Sequence, residues 1–301
     1  ITAATPEGET VSNFGMQDQS MAIHWVHNNI HAFGGDPERI VICGQSAGAR
    51  SVQAQICSSM NEGIISGAII QSGVSMMFGD EDNFGKEIMM LEEAEAYGSH
   101  FLETIGVATL NEAKKMPAEE LMRRLAEVYK KEQFVFGLCI DGTFVRESAP
   151  SAYYNDRIMD IPLIVGVCQG ETQSRFIRGN LSYQDYLKKA EKYGDKKEKF
   201  LSLKKVTCDE DADELTAEDA FNRFLGGTRG FCELRSSRGQ KVYYYIFDHD
   251  IPGDDAGSFH GSDLWFMFDS LGNSWRPFEG KHYDLARQVT SYWTNFVKTG
   301  D

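Results

Sequence analysis

Four short strand-like runs, three of them apolar and the last rich in tyrosine, are separated by segments with helical periodicity, and this alternation restricts what the chain can fold into. The predicted strands are residues 39–43, 67–71, 161–167 and 241–247. Continuous apolar runs of this kind are typical of buried parallel strands, which need helical crossovers between them. The sequence therefore predicts an α/β fold with a mainly parallel central sheet and helices on both faces.

Segments with helical periodicity lie before, between and after these strands. They cover residues 18–33, 51–58, 84–105, 117–131, 183–205, 217–234 and 283–298. A length of 301 residues suits one large core, because α/β proteins of this size often form one domain. We therefore expect residues 1–301 to form a single domain with a helical, lid-like region around 80–135 and 180–238.

The charge balance is strongly acidic. Lys and Arg number 30 against 45 Asp and Glu, which gives a formal net charge of −15. A field of this sign repels phosphate backbones and anionic membrane surfaces, so we expect no nucleic-acid partner. The longest weakly polar stretch, residues 63–79, is too short and too polar to cross a bilayer, and we expect no membrane span.

The cysteines and histidines show no metal-site spacing. Six cysteines without a close CxxC pair are expected to be scattered, buried thiols. His24, His27 and His31 lie on the first predicted helix, but no carboxylate pattern accompanies them, so a solvated or packed helix face is favoured over a metal site. His100 and His282 are expected in surface contexts. We expect neither a metal nor a cofactor.

Residues 44–48 read GQSAG and lie between the strand at 39–43 and a helical stretch. On a sharp strand-to-helix turn, glycines beside the serine remove side chains that would collide with the flanking elements. Such a turn exposes the Ser46 hydroxyl, while the Ala47 amide at the helix N-terminus faces the place where an oxyanion would form. The pattern favours a nucleophilic serine over a simple connecting loop.

A serine nucleophile needs a general base that is itself oriented by a carboxylate. Glu171 comes soon after the strand at 161–167, which suits the acid. His260 lies in a Gly- and Ser-rich loop ahead of an apolar helical turn, which suits a base. His249, just after the strand at 241–247, is its rival. Position favours His260 and leaves His249 open.

Several motifs follow one another along the chain. They are residues 13–19 (NFGMQDQ), 25–30 (WVHNNI), 33–37 (FGGDP), 44–49 (GQSAGA), 71–73 (QSG) and 292–296 (YWTNF). Together they resemble the type-B carboxylesterase family, which includes bacterial para-nitrobenzyl esterases and the cholinesterases. The resemblance covers residues 13–301, and such a series is far more specific than GxSxG alone.

The resemblance implies an α/β-hydrolase fold, here without its N-terminal strands, and a single catalytic domain. It also implies hydrolysis of a small carboxylic ester through an acyl-enzyme, with no cofactor. The family's acid falls on Glu171 and its base on His260, so Ser46, Glu171 and His260 form a Ser-His-Glu triad, and Ala47 supplies an oxyanion donor. Gln45 replaces the family's usual glutamate, a change that we expect to be tolerated but able to shift the working pH.

Family members are longer than this chain and carry an HGGG-like loop, well before the nucleophile, that completes the oxyanion hole. This sequence has no such loop. We therefore expect either that it is part of a longer protein or that it is a poor enzyme, because each missing oxyanion donor costs roughly 10²–10³ in rate.

Other assignments stay open. The same fold also serves as a non-catalytic binding or adhesion-type module, against which the retained triad argues, and a serine thioesterase or peptidase would use the same triad. Ser51 either supports the triad or packs in its helix, and residues 265–268 either line an acyl pocket or belong to the core. No signal peptide is visible, so we expect a bacterial, cytoplasmic protein; a glycosylation sequon at Asn180 leaves secretion open.

Overall fold

The computed structural model describes residues 12–74, 88–129, 136–171, 181–191, 193–203 and 205–301, together with residues 2, 132 and 134; within 216–224 it describes the backbone alone. The helices are α1 (Phe14–Asn29), α2 (Ala47–Cys57), α3 (Leu91–Thr104), α4 (Leu110–Lys115), α5 (Ala118–Tyr129), α6 (Ala149–Tyr154), α7 (Tyr183–Glu191), α8 (Lys197–Leu203), α9 (Asp209–Ser237), α10 (Leu264–Met267) and α11 (Gly280–Thr299). The strands are β1 (Ile40–Gln45), β2 (Ile65–Gln71), β3 (Met89–Met90), β4 (Cys139–Ile140), β5 (Leu163–Cys168) and β6 (Val242–Phe247). Short 3-10 helices cover Ile30–Phe33, Ser59–Asn61, Gly194–Lys196 and Leu271–Asn273.

A four-stranded sheet has the order β1-β2-β5-β6. β5 pairs in parallel with β2 on one side and with β6 on the other, so that Leu163 lies opposite Ala68 and opposite Val242. Every residue of β5 is buried, as expected of a strand covered on both faces. The parallel sheet and the helices between its strands confirm the predicted α/β class.

The sequence explains where the helices begin and end. α5 directly follows Pro117 and carries two glutamates in its first turn, where negative charge interacts favourably with the helix dipole. α11 begins with a capping box formed by Glu279 and His282 and ends at Gly300, whose φ is 71°. These signals place the helix boundaries close to where the periodicity predicts them.

The described chain divides into two compact units. The first consists of Ile1–Glu38, Gln53–Ile65 and Met77–Met159, and the second of Arg39–Val52, Ser66–Met76 and Asp160–Asp301. All four strands of the large sheet fall in the second unit, apart from the first residue of β2. Ser46, Glu171 and His260 fall there as well. The single catalytic domain that the sequence predicts stays a prediction.

The first unit has its own apolar core, which packs α3, α4 and α5 together. Its buried members are Phe101, Leu102, Ile105, Val107, Ala113 and Phe134. A parallel pair, β3 with β4, lies in the same unit. The side-chain amide of Asn13 donates to the backbone oxygen of Cys139 at 2.9 Å and to Asp141 at 2.8 Å, which fixes the start of α1 against β4.

The second unit has two neighbouring cores on the sheet. One lies at the carboxyl ends of β5 and β6 and contains Cys168, Phe247, Ile251, Phe266, Leu271 and Ala286. The other contains Ile69, Ile164 and Phe296. The first of these cores supports the loops that follow β5 and β6, which are the loops that carry Glu171 and His260.

The helices depart from the sequence predictions in a few places. α9 begins at Asp209, eight residues before the predicted start at 217, because three acids occupy its first turn and hide its periodicity. α6 was not predicted; it is a short helix that the hydroxyl of Ser148 caps. Residues 84–87 of a predicted helix and the sequon at Asn180 lie outside the described residues.

The thiols only partly follow the prediction of burial. All six are free; Cys139, Cys168 and Cys232 are buried, whereas Cys43 and Cys208 are exposed. Cys43 lies on β1, which is an outer strand of the four-stranded sheet in the described part of the chain. None of the helices in the described part of the chain is both long and apolar enough to cross a membrane.

Candidate active site

Ser46 lies on the turn between β1 and α2 with a left-handed backbone, φ 56°. A residue with a side chain adopts this conformation at a cost of about 1–3 kcal/mol, so the surrounding structure must hold it there. The Ser46 amide donates to the backbone oxygen of Gln71 at 2.9 Å, and the Ser46 carbonyl accepts from the amide of Arg50 at 3.2 Å. The strained strand-to-helix turn that the sequence predicts is present.

The two glycines of this turn differ in their importance. A Cβ atom on Gly44 would lie 2.2 Å from the carbonyl oxygen of Gly48, so a side chain does not fit at Gly44. At Gly48 itself, no described atom lies within 4 Å of such a Cβ.

Ala47 is the first residue of α2, and its amide therefore has no acceptor within the helix. That amide follows the Ser46 side chain directly, as an oxyanion donor should.

Glu171 and His260 form a pair after β5 and β6. The Glu171 side chain is 1% exposed; its Oε1 accepts from the amide of Cys168 at 2.8 Å, and its Oε2 pairs with Nδ1 of His260. The His260 side chain is 28% exposed. A carboxylate on Nδ1 fixes the proton there and leaves Nε2 as the acceptor that a general base needs.

The pKa of His260 is raised above its ordinary value of 6.5. The main cause is the hydrogen bond from Nδ1 to Glu171; burial of the ring opposes the rise, and the charges of Glu171 and Asp263 add to it. The paired imidazole is therefore a stronger base than an isolated one.

Gln45, the residue before the serine, touches the base. Its side-chain nitrogen lies 3.2 Å from Nε2 of His260. In the described part of the chain, no hydrogen bond joins the Ser46 hydroxyl to that nitrogen. The structure thus brings Glu171 and His260 together, places Ser46 on the turn beside Gln45, and leaves Nε2 in contact with Gln45.

Asp263, which acts electrostatically on His260, belongs to a buried polar network that the sequence did not predict. Asp263 is 2% exposed, and its Oδ2 accepts from the side-chain amide of Gln71 at 2.9 Å and from the hydroxyl of Tyr245 at 2.7 Å. Among the described nitrogen and oxygen atoms, its buried Oδ1 has no hydrogen-bond partner. Burial raises the pKa of Asp263 above its usual range. The only signal in the sequence was an acid three residues after the candidate base.

His249, the rival base, packs into the apolar core instead. Its ring lies 5.5 Å from that of Phe266 and 5.2 Å from that of His282, and its buried Nε2 has no hydrogen-bond partner within the described residues. Burial lowers the pKa of His249 below its ordinary value. His282, expected at the surface, is only 4% exposed: its ring packs against Phe278, and its Nδ1 accepts from the amide of Glu279 in the capping box.

Three further histidines have structural partners. His24 and His27 contact backbone oxygens, of Met60 and Pro37 respectively, and His100 pairs with Glu132. Across the described chain, no group of three or more His, Cys, Asp or Glu side chains is arranged to hold a metal ion.

The stretch at 265–268 contributes mostly to the core. Phe266 is fully buried, and Trp265 packs edge-on against Phe259 and Phe278. Phe268, in contrast, is exposed.

The hydroxyl of Ser51 donates to the carbonyl of Ala47 in its own helix, at 3.3 Å.

A parallel sheet, a serine on a strained turn after β1, and an acid and a histidine after β5 and β6 are the features of the α/β-hydrolase class. A solved structure of PNB esterase shares the fold, with a TM-score of 0.77 over 98% of this chain and 61% of that one, at 24% identity.

The chain belongs to the carboxylesterase family, whose model matches residues 3–301. Bile salt-activated lipase of Rattus norvegicus is 26% identical over 99% of this chain and 53% of the lipase. Cocaine esterase of Homo sapiens is 25% identical over 99% of this chain and 56% of the esterase. The chain thus spans little more than half the length of these relatives. The family predicted from the motifs is confirmed.

Proposed function

We propose that this protein hydrolyses carboxylic esters, with Ser46 as nucleophile, His260 as general base and acid, and Glu171 as the carboxylate that orients the base. The observation that carries the proposal is the pairing of the buried Glu171 carboxylate with Nδ1 of His260, in the unit that also holds Ser46 on its strained turn. Membership of the carboxylesterase family supports it.

In the first half of the reaction, Nε2 of His260 takes the proton from the Ser46 hydroxyl as Oγ attacks the ester carbonyl carbon. The carbonyl oxygen gains the negative charge, and the Ala47 amide donates to it. The intermediate collapses as the bond to the alcohol oxygen breaks, and His260 returns its proton to that oxygen. Glu171 stabilises the imidazolium that forms in between.

In the second half, a water molecule replaces the alcohol. His260 takes one of its protons as the water oxygen attacks the acyl carbon of the ester now attached to Ser46. Collapse of the second intermediate breaks the bond to Oγ, and the proton passes from His260 to Ser46. The products are one carboxylic acid and one alcohol, and the enzyme is regenerated without a cofactor.

The substrate class proposed is a small carboxylic ester. The names of the two relatives refer to lipids and to cocaine, and their sequences match this chain over almost its whole length. A thioesterase or peptidase activity would use the same three residues, so the proposal of an oxoester rests on the family rather than on the triad.

The test is the intact mass of the protein before and after reaction with a fluorophosphonate, together with turnover of short-chain para-nitrophenyl esters. We expect one adduct and measurable turnover. Ser46→Ala should abolish both. Ser291→Ala is the matched control, because Ser291 is exposed on α11 and its hydroxyl donates only to the carbonyl of Arg287 in the same helix.

Unreactive protein that is folded by circular dichroism, or an adduct that survives Ser46→Ala, would contradict the proposal. The first result would favour the binding-module alternative. Turnover of thioester or amide analogues faster than the matched oxoester would identify the protein as a thioesterase or a peptidase instead.

A cytoplasmic location and a bacterial origin are proposals that rest on the sequence alone.

A further inference from the structure

The contact between Gln45 and His260 involves the ring nitrogen that must accept a proton in the proposed reaction. The side-chain nitrogen of Gln45 faces Nε2 of His260 at 3.2 Å, and because a carboxamide nitrogen can only donate, this contact fits a ring whose Nε2 is unprotonated. The proton is then on Nδ1, where the carboxylate of Glu171 accepts it. Both neighbours therefore select the same neutral tautomer of the imidazole.

The backbone next to His260 permits this approach. Gly261 has φ +84°, and a Cβ atom built on it would lie 3.3 Å from the side-chain nitrogen of Gln45. A larger residue at this position would be strained and would crowd the carboxamide. Gln45 is half-buried at the end of β1, so its side chain reaches the base from the strand that leads directly to Ser46.

We infer that Gln45 is a positioning residue for the base: its side-chain amide holds His260 as the neutral Nδ1–H tautomer and disfavours the imidazolium, and so keeps the ring neutral at a lower pH than its carboxylate neighbours alone would allow. The inference rests on the proposed function and adds a pH dependence to it.

The charges around the ring act in the opposite direction. Glu171, from the loop after β5, and Asp263, from the loop of His260 itself, both favour the protonated ring and raise the pKa of His260. A hydrogen bond donated to the neutral form lowers the pKa of a histidine. Gln45 therefore opposes the two carboxylates. A glutamate at position 45 would join them and would accept a hydrogen bond from a protonated Nε2.

The experiment compares wild type with Gln45→Glu and Gln45→Met. Methionine keeps the length of the side chain and removes the donor, whereas glutamate replaces the donor with a charged acceptor. The acidic limb of kcat/KM should move to higher pH in the order wild type, Gln45→Met, Gln45→Glu, with a shift of about 1–2 pH units for Gln45→Glu. Gln288→Glu adds the same charge on the exposed face of α11 and should leave the limb in place.

A readout independent of turnover is the titration of His260 by ¹⁵N NMR of the ring, assigned by its absence in His260→Gln. The midpoints should follow the same order, and below the transition in wild type both ring nitrogens should become protonated. Identical midpoints in the three proteins, or a lower midpoint in Gln45→Glu, would overturn the inference.

The NMR titration also separates this inference from the proposed function. If Ser46 takes no fluorophosphonate and no ester is turned over, the proposed function fails, and the order of the three midpoints still decides whether Gln45 controls the protonation of His260. If turnover is present and the midpoints do not differ, the proposed function stands and the inference about Gln45 fails.

Discussion

The amide of Gly170 donates to the carbonyl oxygen of Ser258 at 3.0 Å and lies 3.1 Å from the hydroxyl of the same residue. Gly170 immediately precedes Glu171, and Ser258 comes two residues before His260. A short parallel bridge between Gly170 and Phe259 extends this connection. The two loops are thus joined through the backbone, so the pairing of acid and base does not depend on the two side chains alone.

The first prediction concerns the charge on Glu171. Glu171→Gln keeps the shape of the side chain but cannot stabilise an imidazolium, so kcat should fall by roughly 10³–10⁴. The acidic limb of the remaining activity should move to lower pH, because Glu171 is the main cause of the raised pKa of His260. Steady-state kinetics between pH 5 and 9 measure both effects.

Glu233→Gln is the control for this substitution, since Glu233 is an exposed residue of α9 that pairs with Arg229. It should retain wild-type kinetics. A Glu171→Gln protein with wild-type kcat would show that another group orients His260.

The second prediction concerns the two glycines of the turn. Gly44→Ala places a Cβ atom 2.2 Å from the carbonyl oxygen of Gly48 and should strongly lower the melting temperature. Gly48→Ala meets no described atom within 4 Å and lies in α2, where alanine is about 0.8–1 kcal/mol more favourable than glycine. Thermal melts of the two variants should therefore shift in opposite directions; equal shifts would mean that the turn relaxes around the new methyl group.

The third prediction concerns the buried carboxylate of Asp263. Tyr245→Phe removes one of the two donors to its Oδ2 and should lower the free energy of unfolding by about 1–3 kcal/mol in urea titrations. Tyr244→Phe, at the more exposed neighbour on β6, should change it by less than about 0.5 kcal/mol. A Tyr245→Phe protein as stable as Tyr244→Phe would contradict the network.

The fourth prediction concerns stability at acidic pH. The pKa of His249 is lowered from 6.5, chiefly by burial and further by His282 and Lys281, while the charge of Asp250 opposes the shift. The unfolded chain therefore binds a proton more readily than the folded chain. The free energy of unfolding should fall as the pH decreases below 6.5.

His249→Phe should flatten this part of the stability curve, whatever its effect on stability at neutral pH. His31→Gln, at an exposed position after α1, is the control and should keep the wild-type slope. A wild-type slope in His249→Phe would assign the acid sensitivity to other groups.

The sheet was predictable because its strands are short, apolar and rich in β-branched residues. All four predicted strands are present within a few residues of their predicted bounds, β5 at Leu163–Cys168 against 161–167. The strand-to-helix turn was predictable as well, because only glycine fits at position 44, where a side chain would collide with the backbone of Gly48. α6 and the two-residue strands β3 and β4 are too short to show a period.

The contacts that Gln45 and Asp263 make with distant parts of the chain could not be predicted. Gln45 and His260 are 215 positions apart, and nothing in the local sequence of either shows that their side chains meet. The same holds for Tyr245 and Gln71, which reach Asp263 from two strands. The burial of His282 was missed because a capping histidine and a solvated one look alike in sequence.

The strained turn, the acid and the base come from three separate stretches of the chain, and the acid and base alone are 89 positions apart. During synthesis, Ser46 emerges long before either partner. A nascent chain can complete this turn and the strands β1 and β2 and still hold a serine that no imidazole deprotonates. Reactivity toward a fluorophosphonate should therefore appear only after the loop that follows β6 has been made and docked, and labelling of refolding protein would report the end of folding rather than its beginning.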